Sequence, residues 1–331
     1  MLSFSNTLIV PKFSSVNSRK QVNLNRKFEF KNSNNKWTGV PIIASNMDTI
    51  GTFEMEHYMS ESNMMTCLHK HYLLSDYNNH YYDAQHDNLI ISTGIANDDI
   101  YKLEQIMSEN KYINWICVDV ANGYTNRFFD VVRYIRNMYP DKVLIAGNVV
   151  TPDATSRLFE NGVDIAKIGI GPGSACATRE KTGIGFPQLQ AVVECSEVAK
   201  AYGNYIISDG GCKCTGDIVK ALGGGADFVM LGGMLAGHDE TSETFNEDED
   251  GEVLYEYYGM SSTKAMNKYN GGHLGYRASE GKRIKIKSKG SIRDTLRDIK
   301  GGIKSACTYV GYDKIEELSN KGVQFVESEK L

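Results

Sequence analysis

Eight short runs of apolar, largely β-branched residues constrain this chain more than any other feature. They fall at 40–46, 64–69, 88–93, 115–120, 143–148, 165–169, 205–209 and 228–232. Each has the length and composition of a strand buried on both faces. Between them, apolar residues recur at three- and four-residue intervals, as at Ile100, Leu103, Ile106 and Met107, and again across 128–138, 153–160, 186–202 and 215–222. That spacing predicts helices with one buried stripe. Strand alternating with helix predicts an α/β protein built on a parallel sheet. Eight such units in roughly 250 residues predict a closed (β/α)8 TIM barrel rather than an open doubly wound sheet. The chain 1–331 then reads as one barrel domain. Its N-terminal extension, 1–38, is expected across the bottom of the barrel or against a neighbouring chain.

Composition narrows the class. The 331 residues carry a formal net charge of −5, which gives no general basic field for nucleic acid or an anionic membrane. The longest mostly apolar run, 226–237, is too short and too glycine-rich to span a bilayer. Residues 1–10 lack the charged-then-apolar pattern of a secretory signal. Seven cysteines, an odd number without repeated metal-type spacing, read as free thiols in a reduced cytoplasmic protein. No nucleic-acid or membrane partner is expected.

In such a barrel, chemistry sits where strands run into the loops that follow them. Those ends carry Asn46-Met47-Asp48, His69-Lys70-His71, Asp119-Val120-Ala121, Gly147-Asn148, Gly169 through Arg179, Asp209-Gly210-Gly211 and Gly232-Gly233. The glycines of the 169–179 loop suit a phosphate wrapped by amides, a cation held on carbonyls, or simply a tight turn. Cys176 in that loop suits a nucleophile if nearby donors or charge stabilise its thiolate, and Arg179 is one source of charge. An inert buried thiol is the plainer alternative. Thr178 adds a hydroxyl two residues away. Asp209 beside two glycines suits the hydroxyl pair of a ribose, or equally a cap on the next helix. Gly232 and Gly233 follow the eighth strand, where such barrels commonly bind phosphate. Cys212 and Cys214 form one C-x-C pair with no second pair, which argues against a structural metal. His69 and His71 allow a metal pair, but Lys70 between them reads better as a contact to a phosphate or an amide. No GxGxxG or Walker loop stands in a valid strand-to-helix setting, which argues against Rossmann and P-loop sites.

From 238 to 290 neither a helical nor a strand period stands out. The stretch opens on an acidic run, Glu243, Glu247, Asp248, Glu249, Asp250 and Glu252, and closes on a basic one, Lys282, Arg283, Lys285, Lys287 and Lys289. A long irregular insertion in a compact domain is usually a functional lid or disordered. Its charge runs read most simply as solvated, mutually attracting surface. A last helix is expected over 293–299.

The motifs now resemble a known family closely. Gly171-Pro172-Gly173-Ser174-Ala175-Cys176, followed by Thr178-Arg179-Glu180-Lys181-Thr182-Gly183, is similar to the catalytic loop of the IMP dehydrogenase/GMP reductase family, on its reductase side. The likeness runs through Ile43-Ala44-Ser45-Asn46-Met47-Asp48-Thr49, Leu68-His69-Lys70-His71-Tyr72, Phe186-Pro187-Gln188-Leu189 and Ser208-Asp209-Gly210-Gly211-Cys212. It continues over 223–237, Tyr258-Gly259-Met260-Ser261-Ser262, 276–282 and 305–311. The resemblance implies a reaction that turns GMP and NADPH into IMP, ammonia and NADP⁺.

The same resemblance implies roles. Cys176 attacks purine C2, and Thr178 with Glu280 relays the proton that lets ammonia leave. Asp209 and Gly210 meet the ribose. Ser174, Gly211, Gly232, Gly233 and Ser261 hold the phosphate. Gly259, Met260, Arg277, Ala278, Ser279, Glu280 and Gly281 border the purine. Lys70, Asp119, Val120, Ala121, Ile170, Gly171 and Met260 line the NADPH side. Ser18, Arg19, Ser305, Ala306, Cys307 and Thr308 reach a cofactor held largely by a neighbouring subunit, in an expected homotetramer. A monovalent cation, usually K⁺, rests on the carbonyls of Gly171, Gly173, Cys176 and Arg179. The 238–290 stretch becomes the flap over the purine.

The dehydrogenase side of the family hydrolyses its intermediate with an activated water, usually through an Arg-Tyr pair and a Gln in the flap. Here the matching stretch reads Tyr276-Arg277-Ala278-Ser279-Glu280-Gly281, and no regulatory module fits between Lys70 and Asn88. Two departures stand out. Ala177 occupies a position where reductases often carry Thr, and residues 4–9 lack the acidic groups usual there. A catalytically silent nucleotide-binding barrel is the alternative from another class. It would not need Cys176, Thr178 and Glu280 together.

Overall fold

The computed structural model describes residues 1–80, 86–241, 246–247, 251, 253–269 and 278–328. Eight parallel strands close a barrel: β1 Ile42–Ala44, β2 Met65–Leu68, β3 Leu89–Thr93, β4 Trp115–Asp119, β5 Val143–Val149, β6 Ile165–Ile168, β7 Tyr205–Asp209 and β8 Phe228–Leu231. Each pairs with the next, and β8 returns to β1 through Val229 opposite Ile42 and Leu231 opposite Ala44. The eight apolar runs are the eight strands.

Side-chain alternation sorts two cores. Ile43, Met65, Cys67, Ile90, Cys117, Ile145, Ile165, Ile207 and Met230 point into the barrel and form one cluster. Their neighbours Ile42, Ala44, Leu68, Ile91, Ile116, Val118, Leu144, Ile168, Ile206 and Leu231 join a second cluster with the surrounding helices. Both faces are dry, so each strand reads as continuously apolar.

The helices are α1 Phe53–Glu61, α2 Leu74–Asn79, α3 Asn97–Glu109, α4 Asn126–Met138, α5 Pro152–Glu160, α6 Gln188–Tyr202, α7 Thr215–Gly223 and α8 Ile292–Val310. Sequence spacing misses α1 and α2, because they bury only Met55, Glu56 and Met59, and Tyr77 alone. The expected end of the last helix at 299 is also corrected. Gly301 and Gly302 resemble a stop signal, but a Cβ on Gly302 would lie 2.6 Å from Thr215 Cγ2. That glycine therefore serves close packing of α8 on α7, and the helix continues to Val310. A short helix, Glu316–Lys321, follows.

Only the second part of the extension lies at the barrel bottom; near its start Phe4 comes close to Gly211 at the opposite end, where a Cβ on Gly211 would lie 3.4 Å from Phe4 Cε2. Arg26–Phe30 and Asn35–Gly39 form an antiparallel hairpin that closes the end away from the loops. Phe28 stacks on Phe228 with ring centroids 4.2 Å apart, and Phe30 meets Trp115 edge-on at 5.0 Å. Thr7–Ile9 pairs with Phe325–Glu327, tying the two ends of the chain together.

The 238–290 insertion is more regular than its sequence suggests. Val253–Tyr258 pairs antiparallel with Arg283–Lys287, Asn246–Glu247 adds a short edge, and Thr263–Tyr269 is helical. Arg283–Lys287 alternates charged residues with Ile, the period-two pattern of a half-buried strand, which the sequence reading took only as a basic run. Of the acidic run, Glu243, Asp248, Glu249, Asp250 and Glu252 lie outside the described residues. Within the basic run, Arg283 pairs with Glu256 and Lys282 with Glu180.

Removing the aromatic plug is expected to destabilise the barrel without touching its upper face. Phe28→Ala should cost about 3–5 kcal/mol, read as a lowered urea midpoint. A loss below about 1 kcal/mol would show that the plug is not part of the core.

Candidate active site

The loop after β6 is shaped by its glycines and braced by Arg179. Gly171 has φ +72°, and a Cβ there would come within 2.6 Å of Arg179 Cγ. The Arg179 Nε donates to the Ile170 carbonyl at 3.1 Å, and its terminal nitrogen donates to Phe186. Arg179 thus folds the loop around itself, and burial holds its guanidinium below the usual arginine range. The Cys176 amide donates to the Gly173 carbonyl at 3.0 Å.

The returning arm of the flap is stitched to this loop. The Ala177 amide donates to the Glu280 carbonyl at 2.7 Å, and the Lys282 amide donates to the Ala175 carbonyl at 2.8 Å. This pairing sets Cys176 opposite Gly281. It also delivers the Glu280 side chain. The Cys176 thiol donates to Thr178 Oγ1 at 3.2 Å, and that hydroxyl donates to Glu280 Oε2 at 2.7 Å. A nucleophile, a hydroxyl and a carboxylate therefore form one continuous line.

All three open onto one cavity at the upper end of the barrel. The cavity gathers Ser174, Asp209, Gly210, Gly211, Gly232, Gly233, Gly259, Met260 and Ser261, together with Asp119, Val120, Ala121, Ile170 and Gly171. Gly281 contributes through the backbone pairing. Ala278 and Ser279 lie on the returning arm outside the lining, with Ser279 Oγ near the Ser261 carbonyl. Arg277 lies outside the described residues. Lys70 does not line the cavity; it pairs with Asp99 at 3.1 Å on the rim. Ser18 caps a 3-10 turn that begins at Arg19, and Ser305, Ala306, Cys307 and Thr308 belong to α8; none of the six lines this cavity. The Cys307 side chain is buried in the core, so it is not on offer to a ligand. Of the four cation carbonyls, Gly173 and Arg179 already accept from the Cys176 and Gly183 amides.

Several residues here carried no role in the sequence reading. Tyr257 is buried, lines the cavity and points its hydroxyl at Met47 Sδ, 3.3 Å away. Lys167 bridges Asp119 and Asp209, while Asn46 and Asn148 each hold one of these acids. Burial opposes charge on Lys167, but the two carboxylates hold its ammonium well above the usual lysine range. Burial likewise opposes charge on Asp119, and Lys167 with Asn46 outweighs it and keeps that carboxyl below its ordinary range. The signal was present in the sequence, since Lys167 is a lone charge inside Ile165-Ala166-Lys167-Ile168.

Comparison with known proteins agrees with this geometry. The family model described as IMP dehydrogenase / GMP reductase domain matches residues 1–330. The chain belongs to the IMP dehydrogenase/GMP reductase family. It is 50% identical to a protein named GMP reductase from Enterobacter sp. (strain 638), over 97% of this chain and 93% of that one. It is 48% identical to the GMP reductase of Vibrio vulnificus (strain YJ016), over 97% and 92%, and 47% identical to that of Shewanella pealeana, over 97% and 93%. The chain is an oxidoreductase of this family. Among the described residues, no helix is long and apolar enough to cross a membrane.

Asp48 ties the insertion to the barrel. Buried at the end of β1, it accepts from the hydroxyls of Tyr258 at 2.6 Å and Tyr269 at 2.9 Å, and pairs with Lys268 at 3.3 Å. Burial, then the nearby Asp48 carboxylate, push the Tyr269 phenol up to about 12, so it remains a donor. His71 stacks on Tyr269 with ring centroids 3.5 Å apart. Burial pushes both His69 and His71 down to about 4, so both rings are neutral at pH 7. Among the described residues no cluster of three His, Cys, Asp or Glu side chains forms a metal site. Asp48→Ala is expected to raise amide exchange across Thr263–Tyr269 about tenfold or more, the worth of a charge-assisted bond, with β5 unchanged. Equal exchange in both proteins would show that Asp48 does not hold the flap.

Proposed function

We propose that the protein is a GMP reductase, removing the 2-amino group of GMP as ammonia and placing a hydride on that carbon to give IMP, with NADPH as the reductant. The observation that carries this reading is the Cys176–Thr178–Glu280 line at the mouth of a nucleotide-sized cavity. Relatives at 47–50% identity bear the same name.

An amine on an aromatic carbon leaves poorly until that carbon is tetrahedral and the nitrogen is protonated. Cys176 Sγ forms a bond to purine C2, and its proton passes through Thr178 to Glu280. The same pair then returns a proton to the amine nitrogen. The C2–N bond breaks, ammonia leaves, and the purine stays joined to Sγ as a thioimidate. A dehydrogenase would instead use its acid–base groups to activate water. Asp209 receives the ribose hydroxyls, since Asn148 and Lys167 both bind its Oδ2 and leave Oδ1 to the ligand. Ser174, Gly211, Gly232, Gly233 and Ser261 take the phosphate, with the Tyr257 hydroxyl close by. Met260 and the 278–281 arm border the purine.

Asp119, Val120, Ala121, Ile170, Gly171 and Met260 would hold the nicotinamide end of the cofactor. The Asp119 side chain is 34% exposed while its carboxylate is fixed from behind, which suits ribose hydroxyl donors. When bound there, the dinucleotide supplies the hydride that frees the thiol. The carbonyls of Gly171, Gly173, Cys176 and Arg179 offer a neutral oxygen set suited to a monovalent ion such as K⁺, and Gly173 and Arg179 each retain a second lone pair. Phe13 and Tyr309 are large exposed apolar residues near Ser18, Arg19 and the end of α8. We place on this face a neighbouring subunit of a homotetramer that completes the cofactor site, in a cytoplasmic enzyme.

Mixing the protein with GMP, NADPH and K⁺ should consume NADPH and release one ammonia per NADPH oxidised. Cys176→Ala should bind GMP without turnover. Glu280→Gln should slow turnover about 10²–10⁴-fold, the usual worth of a positioned acid–base group. NAD⁺ reduction by IMP, with no GMP-dependent NADPH oxidation, would make the protein a dehydrogenase instead.

A further inference from the structure

Lys167 lies at the centre of the cavity floor and has no part in the relay. Its side chain is 3% exposed, and its Nζ stands 2.7 Å from Asp119 Oδ1 and 2.6 Å from Asp209 Oδ2. The arrangement is close to symmetric. Asn46 Nδ2 donates to Asp119 at 3.0 Å, and Asn148 Nδ2 donates to Asp209 at 2.7 Å. Asn148 is fixed in turn by its bond to the Gly169 carbonyl at 2.6 Å. The two acids come from β4 and β7, on either side of the strands that carry Asn148 and Lys167, and both line the cavity.

We propose that Lys167 is a positioning residue: its single ammonium aligns Asp209 for the ribose of GMP and Asp119 for the ribose of the dinucleotide, and so couples the two sites. This rests on the reductase reading above. Two carboxylates sharing one small volume cannot both stay ionised without a cation between them. Removing the ammonium leaves one acid protonated and the other free to turn, so both ligands lose a fixed acceptor at once. Removing one acid as well restores the charge balance, and the surviving acid recovers.

The test is calorimetric binding of GMP and of NADP⁺, each titrated alone, with turnover measured alongside. Lys167→Met should weaken both ligands by about 10- to 100-fold, the range for a charge-assisted contact. The double variant Lys167→Met/Asp119→Asn carries the same buried net charge as the wild type. It should regain GMP affinity while NADP⁺ stays weak. A general packing defect would not restore one ligand alone. If Lys167→Met fails to fold, the charge-balanced double variant carries the test, with retained GMP binding expected. Unchanged binding in Lys167→Met, loss of only one ligand, or loss of GMP in the double variant would each overturn the proposal. Failure of the wild type to oxidise NADPH with GMP would overturn the reductase reading instead.

Discussion

The site depends on one short backbone pairing between residues 175–177 and 280–282. Ala177 donates to the Glu280 carbonyl, and Lys282 donates to the Ala175 carbonyl. These bonds carry a carboxylate from an insertion to a hydroxyl and thiol on a barrel loop. The insertion is held at other points as well. At its root Glu240 accepts from Ser291 Oγ at 2.7 Å and from the Ile292 amide at 2.8 Å, capping α8. The buried His238 ring meets the Leu235 carbonyl and Thr295. Asp48 secures its helix.

The barrel supplies the rigidity that makes such short bonds meaningful. Its interior changes character from one end to the other. The bottom is filled by Phe28, Phe30, Trp37, Trp115 and Phe228, and the layer above by Ile, Met and Cys. At the top Asp119, Lys167 and Asp209 replace the apolar residues. A buried cation is costly, and two direct ion pairs with amide support offset that cost. The dry core below shields Lys167, while Asp119 and Asp209 stay partly exposed toward the cavity above.

Much of this was legible from the residues. The eight strands emerged because both of their faces are buried, which leaves uninterrupted apolar runs. Cys176, Thr178, Asp209 and the glycine pairs were visible because polar groups at strand ends need a reason. Other features needed coordinates. The α1 and α2 helices bury too few residues to show a period, and α8 runs on past 299 through Gly302, which marks close contact with Thr215. The strand at 283–287 was legible in its alternation of charged residues with Ile, but was read only as a basic run. Glu280 drew its role from family likeness alone, since nothing local in the sequence joins it to Thr178. Lys167 could have been found by asking why a charge stands in an otherwise apolar strand. Tyr257 could not, because Tyr255, Tyr257 and Tyr258 look alike until the cavity shows which one faces it.

The central claim is that the Cys176–Thr178–Glu280 line expels ammonia before any hydride moves. Isotope exchange tests it directly. The protein is incubated with GMP, NADP⁺ and ammonium labelled with heavy nitrogen, with no reduced cofactor present. If ammonia leaves to give a Cys176-bound purine and can return, label should enter the 2-amino group of GMP with no net redox change. Glu280→Gln should lose this exchange while still binding GMP. A wild-type protein that oxidises NADPH with GMP, yet incorporates no label under these conditions, would contradict the account.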